Sequence, residues 1–89
     1  LQAASYQGNL PMVKLLLSNG ADPNIEGGEY GTALQAAAHS GHPEVVRALL
    51  QNGAHAHIQG GRYGTAIQAA SDGGHTEIEG QLRAYGAAG

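Results

Sequence analysis

The chain repeats itself at an interval of 33 residues, and that interval constrains its fold more than any other feature. Gly27-Gly28-Glu29-Tyr30-Gly31-Thr32-Ala33-Leu34-Gln35-Ala36-Ala37 returns 33 positions later as Gly60-Gly61-Arg62-Tyr63-Gly64-Thr65-Ala66-Ile67-Gln68-Ala69-Ala70. Leu1-Gln2-Ala3-Ala4 stands at the same spacing ahead of Leu34-Gln35-Ala36-Ala37. A fixed period of a few tens of residues marks a stacked repeat protein, in which no unit buries its apolar face alone. The units expected are 1–31 (partial), 32–64 (full) and 65–89 (degenerate). The last keeps Ile78 and Leu82 but has Glu79, Gly80 and Arg83 where the second unit has Val46, Arg47 and Leu50. A polar outer face is what ends a solenoid without exposing its core, so 65–89 is read as a C-terminal cap. The chain opens inside a unit, and it is read as a fragment of a longer array.

Each unit spells two helices. Helices are expected near 2–7, 11–18, 33–40, 43–51, 66–72 and 76–84. Gly8 and Gly41 supply the left-handed closing residue of the first helix. Pro11 and Pro43 suit the first turn of the second, where an N–H has no partner to lose. Thr32 is a good N-cap. Met12, Val13, Leu16 and Leu17 recur on one helical face, as do Val45, Val46, Leu49 and Leu50, and both sets are expected to be buried. Lys14 and Arg47 fall off that stripe, toward solvent. Ala3, Ala4, Ala36, Ala37, Ala69 and Ala70 are small residues that let neighbouring helices approach closely. The stretches 21–31 and 54–64 are rich in glycine and read as tight loops or hairpins.

Composition narrows the function. The net charge is −3 and the four basic residues, Lys14, Arg47, Arg62 and Arg83, are scattered, which argues against a nucleic-acid footprint. The run Leu15-Leu16-Leu17 is too short to span a bilayer. Without cysteine there is no disulfide or cysteine–metal framework. The glycine-rich loops lack the lysine and the preceding strand of a phosphate-binding loop, so their glycines serve backbone geometry. His55 and His57 form a surface pair, short of the three or four ligands a zinc site needs. His42 and His75 are repeat-equivalent turn residues, expected to bond backbone within the turn. No catalytic elbow or metalloprotease motif occurs, so no enzyme activity and no cofactor are expected.

These residues resemble the ankyrin repeat, a turn followed by two antiparallel helices at a period of 33. Thr32-Ala33-Leu34-Gln35-Ala36-Ala37-Ala38 is similar to the family's T-P-L-H-x-A-A, with alanine for proline and glutamine for histidine. Glu44-Val45-Val46-Arg47-Ala48-Leu49-Leu50 and Leu15-Leu16-Leu17-Ser18-Asn19-Gly20-Ala21-Asp22 are similar to its second helix. The resemblance implies an all-α ankyrin-repeat solenoid of antiparallel helix pairs joined by hairpin-like loops. It also implies a scaffold for protein–protein interaction, intracellular and cytoplasmic. The GG-x-YGTALQAA wording resembles fungal arrays that often follow a nucleotide-binding signalling module. A sensor segment of such a protein is therefore the alternative reading.

In the family, the loop tips and the exposed end of the first helix line the groove where partners bind. Carried over, that surface is Tyr6, Gln7, Glu29, His39, Ser40, Arg62 and Asp72. Tyr30 and Tyr63 join it. They are repeat-equivalent, and stacking at roughly 10 Å would make them an aromatic ladder. Two roles stay open for them: a partner platform, or packing that stiffens the hairpins. Glu29 and Arg62 are expected to give neighbouring loop tips opposite charge. More apolar surface is expected at the N-terminal end than at the C-terminal one, with self-association through it.

Overall fold

The computed structural model describes residues 1–62 and 64–86. Among the described residues six helices follow one another: α1 (Gln2–Gln7), α2 (Leu10–Ser18), α3 (Ala33–Ser40), α4 (Pro43–Gln51), α5 (Ala66–Asp72) and α6 (Thr76–Gly86). Contacts sort them into two rows. The first helices of the units, α1, α3 and α5, pack side by side, and α2, α4 and α6 form a second row behind them. Among the described residues, strand-like pairing is limited to single bridges, Gly27 with Gly31 and Gly60 with Gly64. The fold is all-α, as expected. α2 begins one residue earlier than the sequence indicated, and α6 reaches Gly86 instead of ending near residue 84.

The first helices start where side chains absorb their free N–H groups. Thr32 Oγ1 accepts from Gln35 N at 3.3 Å while Gln35 Oε1 accepts from Thr32 N at 2.6 Å. Thr65 and Gln68 repeat the arrangement. Two of the four orphan donors at each helix start are thereby satisfied reciprocally. α1 and α3 stop at Gly8 and Gly41, with φ of 73° and 82°, a region where a Cβ is penalised.

The core lies between the rows. Leu34, Val45, Val46, Leu49, Ile78 and Leu82 are all at most 1% exposed. α3 is the middle element of its row, so all of Ala33 to Ala38 is buried, Gln35 included. Two expectations fail at the first unit. Met12 is 42% exposed, although its equivalent Val45 is buried. Ala3 is exposed where Ala36 and Ala69 are buried. The cause is position in the row. α4 has α2 on one side and α6 on the other, whereas α2 has only α4 beside it in its row, and α1 has only α3. Of the large exposed apolar side chains, Tyr6, Met12, Leu15 and Ile25 belong to the first unit and Tyr85 to the last. Among the described residues the first unit thus exposes more large apolar side chains than the last.

Gly80 interrupts α6 without a structural need for glycine. Its φ is not positive, and a Cβ built there meets nothing within 4 Å. Gly80→Ala is therefore expected to raise stability by about 1 kcal/mol, the cost of glycine in a helix interior. Urea titration of both proteins checks this.

Candidate partner-binding surface

The surface is built by hairpins that fold back over the first row of helices. Each hairpin is held by a glutamine of its own unit's first helix. Gln2 Nε2 donates to Gly31 O at 2.8 Å. Gln35 Nε2 donates to Gly60 O at 3.0 Å, to Ile58 O at 3.3 Å, and to Gly64 O. One Gln35 side chain thus caps its own helix and clasps the next hairpin. Asn24 adds a second tie. Its Nδ2 donates to Gly53 O at 3.0 Å and its Oδ1 accepts from His55 N at 2.7 Å.

The turn histidines depart from expectation in a related way. They bond backbone, but across units and not within their own turn. His42 Nε2 lies 2.9 Å from Tyr6 O, and His75 Nε2 lies 3.0 Å from His39 O. The His42 ring fills the space over Gly8, and the His75 ring that over Gly41. Asn9, the first-unit equivalent, instead caps α2 by accepting from Met12 N at 3.2 Å.

On this frame Tyr30 lies across the first row. Its ring stacks on Tyr6 of α1, with centroids 4.8 Å apart and planes 29° apart. It also stacks on His39 of α3, at 5.9 Å and 27°. Three of the residues carried over from the sequence thus become one row of rings. The expected ladder of loop tyrosines involves a residue whose structure is not described. Tyr63 lies outside the described residues, and Tyr30 finds its neighbours on two helices.

Glu29 and Arg62 do not act as separate charges of opposite sign. Arg62 Nη1 donates to Glu29 Oε2 at 2.7 Å, with both side chains more than half exposed. Arg62 N also donates to Glu29 O, so the two hairpins are joined by backbone and by side chain. Asp72 stands exposed at the C-terminal end of α5, at the position that Tyr6 has on α1 and His39 on α3. Gln7 is exposed and Ser40 half-buried, its hydroxyl bonded to Ala36 O at 2.6 Å.

The charges divide between the two sides of the molecule. The second row carries Lys14, Arg47 and Arg83 against Glu44, Glu77 and Glu79, which balance. The chain's whole formal charge of −3 therefore resides on the first row and the loops and hairpins. Asp22, Glu26, Glu29 and Asp72 lie there with one arginine, and that arginine is bonded to Glu29. Glu26 was not singled out by sequence reasoning. The signal was available, because Lys14 and Arg47 already fell off the apolar stripe. It needed the assignment of each helix to a row.

An open apolar groove of about 510 Å³ is lined by Leu50, Ala54, His55, Ala56, His57, Ile58 and Tyr85. Among the described residues, no three His, Asp or Glu side chains gather as metal ligands. No described helix is long and apolar enough to cross a membrane.

Two rows of short antiparallel helices joined by hairpins are the arrangement that the 33-residue period implied. The family model described as "Ankyrin repeats (3 copies)" matches residues 1–87. The chain belongs to the ankyrin repeat family. None of the curated proteins matches it. Ankyrin repeats generally serve as protein–protein interaction modules and are typically non-catalytic. In this ankyrin array, glutamine at the position of the family's histidine couples helix start and next hairpin through one side chain.

Proposed function

We propose that the array binds a protein partner across the first-row helices and hairpin tips, with Tyr6, Glu29, Tyr30, His39, Arg62, Tyr63 and Asp72 as the contact set. The observation that carries this is the row of stacked rings formed by Tyr6, Tyr30 and His39. Tyrosines are favoured where binding energy concentrates. The frame beneath is rigid, because every hairpin is tied to the helix behind it, so little ordering entropy opposes binding. The binding takes place inside the cell, in the cytoplasm. As the sensor of a larger nucleotide-binding signalling protein, the array would use the same surface. The exposed apolar face of the first unit, with Met12, Leu15 and Ile25, provides for self-association; sedimentation at increasing concentration tests that part.

A photo-crosslinking residue placed at Asp72, on the first row, and separately at Arg47, on the second, tests the main reading. Both positions are exposed, so neither change disturbs folding. Capture of a partner from position 72 and not from 47 is expected. Equal capture from both positions, or from 47 alone, would count against the surface.

A further inference from the structure

Aromatic faces and negative charge occur together on one side of this molecule. Tyr6 is 41% exposed, at one end of the row of three rings. Exposed Asp72 on α5 holds the position that Tyr6 has on α1 and His39 on α3, and Glu26, ahead of the hairpin, is exposed as well. The second row is electrically balanced, so the field of the molecule points a cation to the first row. An aromatic face attracts a cation through its quadrupole, and a guanidinium does so more readily than an ammonium. It is planar, less strongly hydrated and able to stack. An anionic or purely apolar ligand would use only half of what this surface offers.

The molecule holds one guanidinium on this side already. Arg62 reaches Glu29 from the neighbouring hairpin at 2.7 Å, directly beside Tyr30 in the chain. An arginine brought by a partner would meet similar chemistry at Tyr6 and at Asp72. Asp72 stands one unit beyond His39 and two beyond Tyr6 along the row, roughly 20 Å from Tyr6 at ordinary helix spacing. An extended segment covers that distance in about six residues. Several arginines in a short stretch would therefore engage both the rings and the carboxylate.

We propose that the first-row surface of this array binds an extended, arginine-bearing segment of its protein partner, with a guanidinium stacked on the Tyr6–Tyr30–His39 row and a second paired with Asp72. The proposal rests on the reading that this surface is the binding surface, and specifies the partner's chemistry.

The probe is an acetylated, amidated peptide, Gly-Arg-Gly-Arg-Gly-Arg-Gly, titrated into the isotope-labelled chain and followed by NMR. The same peptide with lysine, and with uncharged citrulline, gives the comparison. With the arginine peptide, saturable shifts are expected at Tyr6, Tyr30, His39 and Asp72. The lysine peptide should bind about threefold or more weakly, and the citrulline peptide should not bind. Tyr6→Leu and, independently, Asp72→Asn should each weaken the arginine peptide by about threefold or more. Asp72 is exposed, so its substitution keeps the test valid if Tyr6→Leu unfolds. Glu44→Gln, on the second row, should change nothing.

Several results would overturn the proposal. One is equal binding of the citrulline peptide with shifts at the same rings, which leaves the surface standing and removes its preference for cations. Others are equal weakening by Glu44→Gln, or no shift with any peptide. Shifts confined to α2, α4 and α6 would remove both the proposal and the surface on which it rests.

Discussion

Gly61→Ala is expected to destabilise the protein by about 3 kcal/mol or more, and Gly28→Ala by only about 1–2 kcal/mol. The two glycines are repeat-equivalent and share a left-handed backbone, with φ of 65° and 69°. Each alanine therefore pays a similar conformational penalty of about 1–2 kcal/mol. They differ in what lies above them. A Cβ on Gly61 would fall on the backbone of Tyr30 and Gly31, and 2.7 Å from Glu29 O. A Cβ on Gly28 would meet only Gln2 Oε1, at 3.7 Å. Backbone cannot rotate away as a side chain can, so overpacking adds about 1–3 kcal/mol at Gly61 alone. The bond from Arg62 N to Glu29 O would part as the hairpins separate. Urea titration of both variants measures the difference. Equal losses would show that the contact between hairpins contributes nothing.

The second large effect is expected at Gln35. Gln35→Glu should cost about 3–5 kcal/mol at pH 7, and Gln68→Glu less than about 1 kcal/mol. Gln35 is 1% exposed and its amide nitrogen faces the carbonyl oxygens of Gly60 and Gly64. A carboxylate there loses those donations and sets a buried charge against oxygen atoms, each unfavourable by a few kcal/mol. Gln68 has the same place in its capping box but is exposed, and a carboxylate there still accepts from Thr65 N. The Gln35→Glu deficit should depend on pH. Burial raises the folded-state pKa of the introduced acid above its unfolded value of about 4.3. Between the two values the native state binds more protons, so stability falls as pH rises through that window. The variant should recover much of its stability near pH 4, relative to the parent at the same pH. A deficit independent of pH would mean that the lost hydrogen bonds, and not the charge, dominate.

Both predictions concern contacts between segments far apart along the chain, and it is there that sequence and tertiary structure part company. The period of 33 determined the helix pairs, because a sequence that repeats must build a structure that repeats. Thr32, Gly41 and Pro43 marked helix ends through local backbone chemistry, which acts over three or four residues and is written in order along the chain. The stripe Val45, Val46, Leu49, Leu50 named the core of the second unit for the same reason. Met12 was misplaced because the pattern says which face is apolar and not whether a neighbour covers it. Gln35 was read as a stand-in for the family's histidine, and its reach of 29 residues to Gly64 has no periodic signature. Glu29 and Arg62 were singled out because they differ between units. Only stacking at one unit's spacing turns that difference into an ion pair of 2.7 Å. Tyr6 and His39 were marked in the sequence as one repeat-equivalent series and Tyr30 in another, with nothing to join the two. The sequence determined the unit and its helices, because those follow from neighbours along the chain. The tertiary structure decided the ring row, the clasping glutamines and the side on which the charge collects, because these depend on distances between segments far apart along the chain that no local pattern encodes.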